Sequence, residues 1–80
     1  MEAEAEFQDI PTVALLMLKG WRLGTRVDGS RVVFHCPRDK QLGKVLSNYL
    51  DGTLQVPALE YGETIQRVKA LIRAAKYNTN

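Results

Sequence analysis

One cysteine and one histidine are all that this chain of 80 residues holds of the side chains that most often bind metals or attack as nucleophiles. Cys36 has no second cysteine to pair with, which excludes an internal disulfide and suits a reducing compartment. There is no CxxC spacing and no glycine-rich phosphate loop, since Gly24, Gly43 and Gly62 stand apart. His35 and Cys36 are neighbours, but adjacent side chains on a strand point to opposite faces, so they do not form a thiol–imidazole pair. A lone histidine is a poor metal site. These absences predict a protein that is not an enzyme and carries no cofactor or metal.

Long hydrophobic runs are also missing. The longest, Val13 to Leu18, is far shorter than the roughly 20 residues a bilayer-spanning helix needs. The start, "MEAEAEF", is acidic where a secretory signal needs basic residues. A cytoplasmic location, in a bacterial or phage-infected cell, is the expectation. Acids are scarce beyond that start. Glu2, Glu4, Glu6 and Asp9 lie in a stretch without Lys or Arg, and residues 10 to 80 hold eleven basic and five acidic residues, a net of +6. The ordinary reading of residues 1–8 is a flexible acidic tail. The functional reading is a tail that folds back on a basic surface and competes with an anionic ligand. A basic body favours nucleic acid or an acidic protein surface as partner.

What remains is enough for one domain, residues 9–77, with 78–80 as a frayed end. A chain of this size buries only about 60–65% of its unfolded surface, so the core is thin. The first helix is "DIPTVALLMLKG", capped by Asp9, with Pro11 in its first turn and Gly20 as its stop. It is apolar on nearly every face, and a second copy covering Leu15 and Leu18 is one way to hide it. A homodimer is therefore expected. A hairpin follows, with strands "WRLGTRV" and "RVVFHC" joined by Asp28-Gly29 as a two-residue turn. That turn pairs Trp21 with Cys36, Leu23 with Phe34 and Thr25 with Val32 on the inner face. The outer face then pairs Arg22 with His35, Gly24 with Val33, and Arg26 with Arg31. Asp39 caps a second helix, "KQLGKVLSNYL", with an apolar stripe of Leu42, Val45, Leu46, Tyr49 and Leu50. "TLQV" reads as a short third strand. A last helix runs from Pro57 to about Tyr77, with Ala58, Tyr61, Ile65, Val68, Ile72 and Ala75 as its packing seam. The fold class is α+β: a β-hairpin packed against three helices, in the order α-β-β-α-(short β)-α.

The succession "F..DI..VALLMLKGW.L", "VVFHCPRDKQLGKVLSNYLDG.L.V" and "ETIQRVKALI" resembles a family of small domains of unknown function found in bacteria, phages and mobile elements. The shared features fall on Asp9, Gly20, Val32 to Phe34, Tyr49 to Val56, and Arg67 to Ile72. The resemblance spans about residues 7 to 75 and lies mostly on core and cap positions. It implies the fold far more than a function, suggests a bacterial, phage or mobile-element setting, and brings no catalytic residues.

An arginine directly across from an arginine costs roughly 0.2–1 kcal/mol in a sheet. The ordinary reading is a solvated edge that discourages aggregation. The functional reading is that an external anion offsets the repulsion. Arg22, Arg26 and Arg31 with His35 then form a basic hairpin face suited to the major groove, widened by Lys19, Arg38, Lys40 and Lys44. The aromatics fall on apolar stripes and read as core, which speaks against a base-stacking platform. The expected function is a small non-enzymatic binding module contacting nucleic acid through that face. The alternative is a protein-binding regulator or inhibitor of a host system that engages an acidic protein surface.

Overall fold

The computed structural model describes residues 4–50, 52 and 55–77, with the backbone alone at Leu50. The order is β1 (Glu4–Phe7), α1 (Ile10–Leu18), β2 (Gly24–Asp28), β3 (Arg31–Pro37), α2 (Lys40–Leu50) and α3 (Ala58–Tyr77). The three strands form an antiparallel sheet in the order β1-β3-β2, and three helices make this a small α+β fold. No helix among the described residues is long and apolar enough to cross a membrane.

The acidic start is where sequence and structure part first. Glu4–Phe7 is an edge strand rather than a flexible tail, and the compact unit begins there instead of at Asp9. It pairs Ala5 with Cys36 and Phe7 with Phe34. Alternation explains why. Ala5 is 2% exposed and Phe7 half-buried on the helix side, while Glu4 and Glu6 take the other face. The order is therefore β-α-β-β-α-α. The expected strand at "TLQV" falls partly outside the described residues; Gln55 and Val56 are in irregular backbone. Residues 78–80 also lie outside the described residues.

The hairpin keeps its predicted faces and changes its register. The loop is Gly29-Ser30, and the pairs are Asp28 with Arg31, Val27 with Val32, Arg26 with Val33, Thr25 with Phe34 and Gly24 with His35. Gly29 has φ 65° and no described non-glycine residue has positive φ, the signature of a type II′ turn. A type I′ turn at Asp28-Gly29 demands the left-handed conformation of Asp28 as well. Moving the loop by one residue gives that conformation to glycine alone. Each partner shifts by two residues, so no side chain changes face. Arg31 now lies across from Asp28, and Arg26 across from Val33. The opposed arginine pair does not exist.

The inner face carries the core. Val13 and Ala14 of α1, Val32 and Phe34 of β3 and Val68 of α3 form one buried cluster, with Tyr61, Ile65 and Ile72 packed around it. Ala5, Leu16, Cys36 and Leu42 form a second, flanked by Trp21, Val45 and Leu46. So α1 is covered by the sheet, by α3 and by α2, and its residues Thr12 to Leu16 are all buried. Leu15 is 2% exposed within one chain, which removes it as a reason for a second copy on α1. Caps fix the helix starts. The Thr12 N–H donates to the Asp9 carboxylate at 3.1 Å, and the Leu42 N–H to that of Asp39 at 2.7 Å. The Tyr61 hydroxyl donates to the Pro11 carbonyl at 2.9 Å and ties α3 to the start of α1.

Candidate functional site

The eight basic and histidine positions singled out in the sequence divide into separate groups. Arg26, Arg31 and His35 lie on the helix-free face of the sheet, and β1 brings acids to meet them. Arg26 donates to the Glu6 carboxylate at 2.8 Å. This ion pair reaches across β3 above Val33 and leaves that valine 2% exposed on a face with no helix over it. The guanidinium beside it holds the Glu6 carboxyl below its ordinary value. His35 Nδ1 lies 3.4 Å from a Glu4 oxygen. A Cβ built on Gly24 would lie 2.5 Å from the His35 ring, so the ring rests directly on that glycine. Arg31 faces Asp28. Two arginines and a histidine therefore share this face with Glu4, Glu6 and Asp28, and its basic excess is gone. The acidic segment does fold back on basic residues, as a strand of the sheet.

A different group converges at the junction of α1 and α2. Here α1 ends in a Schellman motif, with the Gly20 N–H donating to the Met17 carbonyl at 3.0 Å and the Trp21 N–H to the Leu16 carbonyl at 2.9 Å. Gly20 at φ 99° supplies the left-handed residue this motif needs. The motif fixes Trp21, half-buried, against the cluster of Leu16, Cys36 and Leu42. It also sets Trp21 and Arg22 outside the hairpin, which begins only at Gly24.

Trp21 borders three hollows, two of which adjoin on its α2 side. One, of about 270 Å³, is lined by Lys19, Gly20, Trp21, Arg22, Asp39 and Gln41. The other, of about 350 Å³, is lined by Lys19, Trp21, Gln41, Lys44, Val45 and Asn48. Together they form a notch with three cations, Lys19, Arg22 and Lys44, and one acid, Asp39, whose carboxylate already accepts the Leu42 N–H. Among the described residues no ion pair engages those three cations. Arg38 and Lys40 are exposed at the entry to α2 and line neither hollow.

The arrangement can attract an anion and offer it one aromatic edge. The sequence reading puts Arg22 on the hairpin face itself, Lys19 and Lys44 on its flanks, and Trp21 in the core. "KGW" carried the signal that it missed: a glycine stop followed by a large apolar residue is the end of a Schellman motif.

Cys36 is 2% exposed on the helix side, while His35 lies on the opposite face, so the two do not meet. Burial, reinforced by the negative charge of Asp39, pushes the Cys36 thiol above its ordinary value. Comparison with protein-family models, with curated proteins and with solved structures gives no match to this chain.

Proposed function

We propose that this chain is a small non-enzymatic binding module that contacts the phosphate backbone of nucleic acid through Lys19, Arg22 and Lys44 around Trp21. The observation that carries the reading is the convergence of three cations, drawn from the C-cap of α1, the α1–β2 connection and α2, on one notch with a single, already engaged carboxylate. Arginine and lysine at phosphate-accessible positions supply most of the affinity of such modules, with little sequence preference. The half-buried Trp21 edge adds a surface for a base or sugar. A bacterial or phage setting, and a place in the cytoplasm, belong to this proposal through the resemblance described above. The second reading, a regulator that engages an acidic protein surface, uses the same cations and is favoured if nucleic acid fails to bind.

The test compares two pairs of charge reversals for binding to labelled single-stranded and duplex oligonucleotides. Arg22→Glu with Lys44→Glu should abolish binding while leaving thermal stability nearly unchanged, since both side chains are exposed. Arg26→Glu with Arg31→Glu should leave binding largely intact. Loss of binding only in the second pair would return the interface to the sheet face and overturn the assignment.

A further inference from the structure

The third hollow around Trp21 is a cleft of about 400 Å³ to which α2 contributes no residue. Phe34, 1% exposed, forms its floor, with Leu23, Thr25 and Leu71 around it. Arg22 is the only charged residue in its lining. The volume falls within the range of small-ligand pockets, which begins at about 300 Å³. Apolar walls with one exposed cation suit a flat, uncharged ring joined to an anion. Trp21 and Arg22 line both this cleft and the cationic notch. A ligand that fills both places therefore carries a phosphate and, a short link away, an apolar ring. We infer that this chain takes single-stranded nucleic acid, with backbone phosphate in the notch and an unpaired base of the same strand in the cleft beside Trp21.

Base capture in the cleft rests on the reading of the notch as a phosphate site, and adds to it a choice of strandedness. A base within a duplex is stacked on both faces and paired along its edge. It reaches a walled cleft only by leaving the stack, at an energy cost that an unpaired base avoids. Every base has an apolar face, so a cleft lined by Trp21, Leu23, Phe34 and Leu71 accepts all four with little sequence preference. The Thr25 hydroxyl and the Arg22 guanidinium are the polar side-chain groups at hand for a base edge.

The test measures fluorescence anisotropy of three end-labelled probes at one low salt concentration. They are an oligothymidylate, the same strand paired with oligoadenylate, and a strand of equal length and charge that lacks bases. The oligothymidylate should bind about tenfold or more tightly than the baseless strand, and more tightly than the duplex. The baseless strand should keep the salt dependence of the intact one, since its phosphates are the same. Leu71→Ala removes part of a wall at a position 40% exposed, and Thr25→Leu narrows the cleft from an exposed strand position. Each should weaken the oligothymidylate several-fold and leave the baseless strand unchanged, and either variant decides the matter if the other fails to fold. Equal, salt-dependent affinity for the intact and baseless strands overturns base capture and leaves the phosphate notch standing. So does a duplex that binds as tightly as the single strand, or a folded cleft variant that weakens both strands alike or neither. No binding of any probe overturns the notch and the cleft together.

Discussion

Val33 illustrates how a single position depends on residues far from it in sequence. It lies on the face without helices, where alternation alone predicts exposure, yet it is 2% exposed. The Arg26–Glu6 pair crosses above it, and the hydrocarbon stems of such side chains cover apolar surface while their charged ends stay in water. Truncating it therefore has a measurable cost. Val33→Ala should lose about 1–2 kcal/mol of unfolding free energy by area removed. Phe34→Ala, on the helix side, should lose about 3–5 kcal/mol. Urea denaturation of the two variants checks the order, and equal or reversed costs would contradict the faces assigned here. The ion pair itself has a pH signature. The Glu6 carboxyl is held below its ordinary value, chiefly by its hydrogen bond from Arg26. A lowered carboxyl favours the folded state when ionised, so its contribution is present above the ordinary carboxylate range and is lost as pH falls through the folded value. Denaturation midpoints of wild type and Glu6→Gln should differ at neutral pH and converge on acidification. The difference should be small, because both partners are exposed. A gap that widens on acidification would contradict the assignment.

At the scale of elements, β1 is the one the sequence concealed. "EAEAEF" alternates charge and small or apolar residues with period two, which is a strand pattern, but three acids without a base also describe a solvated tail. What decides is tertiary. The edge of β3 is open, and Ala5 is small enough to sit against Cys36 beneath α2. Ala5→Leu adds volume in that closed space and should destabilise the fold by about 1–3 kcal/mol. A residue in a solvated tail would show no change, so calorimetry on this variant separates the two descriptions. The hairpin was legible in its faces and not in its register. "VDGSRV" contains two overlapping turn signals, Asp-Gly and Gly-Ser, which differ by one loop position and place every side chain on the same face. Only the energies separate them. One demands a left-handed aspartate and opposes Arg26 to Arg31, whereas the other asks this of glycine and opposes Arg31 to Asp28. The three helices were legible to within a residue or two because their signals are strong and local: Asp9 and Asp39 as caps, Gly20 as a left-handed stop, Pro57 before the last helix.

For the whole molecule, the charge imbalance read from the sequence acquires a place. The acids of β1 are spent on the helix-free face, so Arg26 and His35 are met from within the chain. The cations at the α1–α2 junction have no such counterparts among the described residues, and the field there remains positive. The candidate site was thus half legible. Lys19, Arg22 and Lys44 stood out by type, but their meeting around Trp21 depends on the Schellman turn that ends α1 and on α2 folding back beside it. Trp21 is the chain's single tryptophan, which makes its emission a direct report from the notch. The most direct measurement is a titration of that emission with an oligonucleotide at several salt concentrations. Three phosphate contacts predict a quenching or shift on binding, with log K falling against log salt at a slope of about −2 to −3. Binding that leaves Trp21 emission unchanged, or an affinity indifferent to salt, would contradict the proposal that this notch holds the phosphate backbone.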